Sequence, residues 1–208
     1  MEHTPQPDTR RARRIMWAFL LGGAVCFPAA AMLPFGRAVL QLAGVAFLAC
    51  GLYVAGRWLF TAFTYAVVPK SSVDPEDYVG LRAAAAGVLP DVRYLPPAAL
   101  DFTVRKSQGR RTPVMDACLA LDELRYFAPL PREGGREREP YRRFPTLRVY
   151  DYTVSLTPAQ QYMAVFVDSA NNAIGLILEP DAAMAAYLAS VLQQNAGSSG
   201  NTDGGAAF

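Results

Sequence analysis

Two long apolar runs open the chain, and shorter alternating runs follow. Residues 15–35, IMWAFLLGGAVCFPAAAMLPF, hold no charged side chain, and about 20 such residues suffice to cross the hydrocarbon of a bilayer. Residues 38–63 form a second run whose one charge, Arg57, lies near its C-terminal end, where a long basic side chain is expected to snorkel to the headgroups. Trp17, Tyr53 and Trp58 suit interfacial positions. Pro34 and Gly36 in the intervening LPFGR predict a tight turn, so the pattern predicts an antiparallel transmembrane hairpin over 15–63.

After residue 63 the periodicity shortens. FTYAVVP (63–69) reads as a strand ended by proline. DPEDYVGLRAAAAGVLP predicts a short helix at about 75–86, with Asp74 as N-cap, Pro75 at the first helical position and Gly87 at the stop. RYLPPAAL reads as extended linker. In DFTVRKS, Phe102 and Val104 alternate with Thr103 and Arg105. TPVMDACLAL suits a returning strand, and Ser107-Gln108-Gly109-Arg110 between them predicts a β-hairpin turn with glycine at positive φ. LDELRYF is a helical turn or a short strand.

Residues 131–144, PREGGREREPYRRF, mix both charges with Pro and Gly and predict an exposed loop. Strands are expected at 148–156, 161–169 and 173–180, the last two joined by a turn over Ser169–Asn172. PDAAMAAYLASVLQQN places Met184, Tyr187, Leu188, Val191 and Leu192 on one helical stripe. The tail from 196 to 208 is Gly/Ser-rich and expected to be disordered. The expected organisation is a basic polar tail (1–14), the hairpin (15–63), one α+β domain (64–195) and the tail.

Charge sharpens this division. The first third is nearly free of acids after Asp8, and charges gather after Lys70. Arg10, Arg11, Arg13 and Arg14 precede the first run, whereas the connecting turn carries only Arg37. The positive-inside rule then predicts a multi-pass protein of the cell membrane with both termini cytoplasmic. Gly22, Gly23, Gly44, Gly51 and Ala55 would let two helices approach closely, or are simply common membrane residues.

Three targeting readings compete with retained spans. Ala29-Ala30-Ala31 could serve as a signal-peptidase site, but a second span would then start almost at the new N-terminus. Arg10-Arg11 faintly suggests a twin-arginine signal that Ala12-Arg13-Arg14 does not continue. Cys26 invites a lipobox reading that Val25 before it does not fit.

The chemistry that remains is sparse. Cys26, Cys50 and Cys118 form no even-numbered framework and no metal-type spacing, which suits a reducing compartment. The only histidine, His3, falls in the polar tail, so a Ser-His-Asp or Cys-His pair is not expected in the folded part. No cofactor is implied. Asp151, Asp168, Glu179 and Asp181 are the acids near the last strands, and nothing in their spacing pairs them as acid and base. Asp116 and Asp122 are likewise isolated. Tyr150, Tyr152 and Tyr162 read as sheet residues.

The element order, with FTYAVV, FTVRKSQGRR and LILEPDAAMAAYL in succession, resembles uncharacterised bacterial two-span membrane proteins that carry a cytoplasmic pleckstrin-homology-like domain. The resemblance covers about residues 63–193. It implies a half-open barrel of two antiparallel sheets capped by a C-terminal helix. The helical segment within 70–99 departs from the short first connection usual in that family. Pleckstrin-homology domains often hold inositol phosphates with basic residues of the first hairpin, and Lys106 and Arg110 stand at comparable places.

The basic tip itself, Arg105, Lys106, Arg110 and Arg111, therefore has two readings. A turn's N–H groups with Lys and Arg can bind phosphate, and a tip near an anionic leaflet gains about 1 kcal/mol per close basic residue. The plainer reading is a solvated hairpin end that discourages edge pairing. SQGRRT lacks the second glycine and the Gly-Lys-Ser/Thr ending of a phosphate loop, and nucleic acid is set aside. The expected function is non-enzymatic: a membrane-anchored cytoplasmic interaction module that binds a protein partner, itself or the anionic membrane surface. The alternative is a membrane-associated enzyme or transport accessory subunit using 70–99 and 131–144 as a lid.

Overall fold

The computed structural model describes residues 1–32, 36–70, 92–109, 111–130 and 139–199. The helix expected at 75–86, Arg110, most of the 131–144 loop and the tail after 199 lie outside the described residues.

The first nine residues differ from a plain polar tail. Glu2–His3 form strand β1, and the amide of Val67 donates to the Met1 carbonyl at 2.8 Å. Helix α1 then starts at Thr9 and runs to Met32. Asp8 caps it, accepting from the Arg10 amide at 3.1 Å. The arginines thus occupy the first turns of the helix and not a tail before it.

Helix α2 spans Arg37–Val54 and continues as a π-helical turn over Ala55–Leu59. Gly36 before it is left-handed at φ +81°, a conformation open to glycine at little cost. Both helices are long and apolar enough to cross a membrane, and most of their surface is exposed. They pack closely where side chains are missing. A Cβ on Gly23 would lie 3.2 Å from the Gly44 carbonyl oxygen and 3.1 Å from Leu48.

The second apolar run was expected to stay helical to residue 63. Instead strand β2 begins at Thr61 and extends to Pro69. Thr61 Oγ1 donates to the Gly56 carbonyl at 2.7 Å, satisfying an acceptor that the helix end leaves open. From there Phe63, Tyr65 and Val67 alternate into the core. Only Phe60 separates the helical turn from the strand.

The sheet-rich region holds two four-stranded sheets. The first has the order β1-β2-β3-β4, all antiparallel, with β3 at Leu100–Gln108 and β4 at Val114–Ala120. LDELRYF is both things it was read as, a 3₁₀ turn at Leu121–Glu123 followed by strand β5 at Leu124–Pro129. The stretch read as extended linker contains two 3₁₀ turns, Val92–Tyr94 and Pro97–Ala99. A short helix α3 (Glu139–Arg143) precedes β6 (Arg148–Asp151), and β7 (Tyr162–Val167) and β8 (Ala173–Leu178) form a hairpin. Asn171, at φ +63°, turns that hairpin.

The second sheet runs β5-β7-β8-β6, and β6 lies parallel to β8. Purely antiparallel pairing was expected. The expected strand at 148–156 stops at Asp151, because Asp151 Oδ1 takes the Thr153 amide at 2.9 Å in a tight turn. The Glu179 carboxylate then takes the amides of Val154 and Ser155 at 2.8 and 2.9 Å. The chain therefore crosses the end of β8 before entering β7, and β8 is inserted between them.

Helix α4 (Ala182–Ser199) closes the core. Asp181 caps it through a 2.7 Å bond from the Met184 amide. Met184, Leu188 and Val191 are buried among residues of both sheets, with Tyr187 and Leu192 packed at the margin. The helix continues past Asn195, where the tail was expected to begin. Asn195 is buried, and its Nδ2 donates to the carbonyls of Leu121 and Leu124.

Candidate functional site

Three contacts seat the sheet region on one end of the helix pair. The Gly109 amide donates to the Phe60 carbonyl at 2.9 Å. The strand register, Thr61 opposite Gln108, forces this neighbourhood: the β3–β4 hairpin must turn where β2 leaves the helix. Gly109 has φ +60°, as the turn reading required.

Arg57 makes the second contact. It was expected to snorkel to the headgroups at the end of the second run. Its guanidinium donates to the carbonyls of Thr153 at 2.9 Å and Asp151 at 3.0 Å, with the Asp151 carboxylate 3.7 Å away. It also lies over the rings of Trp58 and Phe63, at 5.5 and 5.3 Å. The acceptors come from a segment nearly a hundred residues on, which no local pattern reveals.

The third contact is Arg11 Nη1 to Thr157 Oγ1 at 3.2 Å. Leu156 beside it joins Ile15, Phe19, Tyr53 and Trp58 around an apolar groove of about 510 Å³.

The expected basic residues sit beside this junction. Arg105 is exposed on β3 opposite Thr64, and Lys106 is half-buried opposite Phe63. Arg111 is exposed in the turn, its amide bonded to the Gln108 carbonyl at 3.2 Å. Arg110, the fourth, lies outside the described residues. With Arg10, Arg11, Arg13, Arg14 and Arg57, these gather the described cations of the helix pair and hairpin at one end, whereas Arg37 stands alone at the other.

Asp151, Asp168, Glu179, Asp181 and Asp122 are each held by hydrogen bonds or ion pairs. Asp151 meets Arg57, and Asp181 caps α4. Glu179 also takes the Ser155 hydroxyl at 3.0 Å. Asp168 accepts from the amide and side chain of Asn172, which hold its carboxyl below the usual range. Asp122 meets Lys70 at 3.1 Å. His3 is not in a loose tail: its Nδ1 lies 3.3 Å from Asp181 Oδ2.

Tyr65 is the polar centre of the core. Its hydroxyl donates to the Tyr152 carbonyl at 2.8 Å and accepts from the Glu179 amide at 3.3 Å. Burial pushes its phenol well above the usual range. Tyr152 meets Phe63 edge-on at 5.2 Å, and Tyr162 stacks on Phe127 at 5.0 Å, so both serve the sheet.

Comparison with protein-family models, with curated proteins and with solved structures finds no match to this chain.

Proposed function

We propose that the protein is a two-span membrane anchor that presents a pleckstrin-homology-like interaction module to the cytoplasm, with the basic hairpin tip turned toward the leaflet. The observation that carries this reading is the 2.9 Å bond from the Gly109 amide to the Phe60 carbonyl. If α2 crosses a bilayer, its exit at Leu59–Phe60 lies at the headgroups, and Arg105, Lys106 and Arg111 are brought there with it. Four arginines on the first turns of α1 at the same end favour the cytoplasmic side. The glycine-tipped hairpin and the capping helix α4 support the family resemblance.

The module has a surface for protein contact as well. Strand β4 is an outer strand of its sheet, and its Val114 and Met115 are 66% and 56% exposed. Such an edge suits strand addition by a partner or by a second copy.

The test uses the full chain in nanodiscs of neutral or anionic phospholipid. Amide hydrogen exchange over residues 105–111 slows in the anionic discs if the tip meets headgroups. Changing Arg105, Lys106, Arg110 and Arg111 together to Gln abolishes the difference. Equal exchange in both discs for the unmodified chain contradicts the reading.

A further inference from the structure

The first turns of α1 divide their arginines between two directions. Arg11 faces the sheet region and bonds Thr157. Arg10, Arg13 and Arg14 face outward, are exposed, and have no carboxylate within ion-pairing distance among the described residues. Below them on the same face stand Trp17, Ala18 and Leu21, and with Thr9 these side chains line an open, groove-like cavity of about 500 Å³ along one face of α1. Trp17 and Leu21 are 54% and 62% exposed. The cavity is cationic at its upper end and apolar along its lower length.

We propose that this cavity seats one anionic phospholipid, its phosphate among Arg10, Arg13 and Arg14 and an acyl chain along Trp17, Ala18 and Leu21. The inference rests on the reading that α1 crosses a membrane, and it adds a defined lipid site to it. Two features select this occupant. Guanidinium groups grip phosphate oxygens through paired N–H donors, and no carboxylate among the described residues forms an ion pair with these three. The indole of Trp17 lies at the depth where an interfacial tryptophan meets the glycerol backbone of a lipid, and one turn further Leu21 continues the apolar wall. A soluble anion would use the upper end only and leave Trp17 and Leu21 bare. A lipid with a neutral headgroup would use the lower end only.

The experiment is native mass spectrometry on the full chain in detergent, with dioleoyl phosphatidylglycerol, dioleoyl phosphatidylcholine or glycerol 1-phosphate added. The expected result is one retained phosphatidylglycerol per chain at a lipid concentration where phosphatidylcholine is lost. Glycerol 1-phosphate does not displace it. The variant R10Q/R13Q/R14Q weakens retention about a hundredfold, since each close basic residue contributes about fivefold. The single variant R13Q keeps the other α1 arginines for insertion and weakens it about fivefold. Arg37→Gln, at the opposite end of the helix pair, leaves it unchanged. Equal retention of the two phospholipids overturns the site, as does full retention by R10Q/R13Q/R14Q. Displacement by glycerol 1-phosphate reduces it to an anion site and overturns the lipid assignment. Carbonate extraction of membranes separates the two levels: a chain that stays in the pellet but shows no phosphatidylglycerol preference sinks only the lipid site, and a chain released to the supernatant sinks the membrane-anchor reading itself.

Discussion

The amide of Gly109 and the carbonyl of Phe60 are joined at 2.9 Å, so the tip of a β-hairpin is fixed to the last turn of a long apolar helix. Gly109 occupies φ +60° and a Cβ there would meet nothing within 4 Å. A side chain therefore costs only backbone strain. Gly109→Ala is expected to destabilise the full chain by about 1 kcal/mol, and Gly109→Asn by less, because Asn tolerates the left-handed region. Chemical denaturation of both variants in detergent measures the difference.

Arg57 separates charge-assisted hydrogen bonds from a half-exposed ion pair. Arg57→Gln removes the bonds to Thr153 and Asp151 carbonyls and is expected to cost about 2 kcal/mol. Asp151→Asn keeps an acceptor oxygen for the Thr153 amide and removes the 3.7 Å contact to a carboxylate whose side chain is 56% exposed, so it is expected to cost under about 0.5 kcal/mol. The same unfolding measurement on both variants tests whether the carbonyls carry the clamp.

Tyr65 and Tyr152 set an alkaline limit. Burial is the main cause that raises both phenols, with Asp116 adding to the effect at Tyr152. A raised folded-state value means the folded chain holds its phenolic protons longer than the unfolded chain. Their contribution is fully present below the unfolded value, about 10, and is lost as pH rises above it. The expected result is stability that is flat through neutral pH and falls above about pH 10. In Tyr65→Phe the neutral-pH stability drops by about 1–3 kcal/mol, since the Glu179 amide and Tyr152 carbonyl lose their partner, and the alkaline fall becomes shallower.

Glu179 holds the crossing between β6 and β7 through three donors. Glu179→Ala is expected to speed hydrogen exchange at Val154 and Ser155 while leaving Phe102 and Val104 protected, with Glu179→Gln between the two. Uniform acceleration across the core would assign Glu179 a global role in its place.

Where a periodic signal spans several residues, the fold was legible in the chain. Phe63, Tyr65 and Val67, the alternation around Phe102 and Val104, and the Met184–Leu188–Val191 stripe all enter the core. What escaped has no local signal. Two residues, Glu2–His3, carry no period and pair only because β2 leaves an edge open. The parallel placement of β6 is decided by Asp151 and Glu179 capturing amides of the next segment. At the site, the cluster of Arg105, Lys106 and Arg111 could be read from the chain, as could the turn at Gly109. Its position could not, because that follows from Thr61 pairing with Gln108 across the register. Arg10, Arg13 and Arg14 were read only as an orientation signal, since a linear count does not show that Arg11 turns away from them.

The most direct measurement is the depth of the hairpin tip in a bilayer. A nitroxide is placed at the exposed Gln108, in a full chain whose Cys26, Cys50 and Cys118 are replaced by Ala. A second label at Asn171, in the turn at the other end of β8, serves as reference. In anionic proteoliposomes the Gln108 label is predicted to sit at headgroup depth by its accessibility to oxygen and to a water-soluble nickel complex, while the Asn171 label is fully aqueous. A Gln108 label as aqueous as Asn171 would contradict the membrane-seated tip.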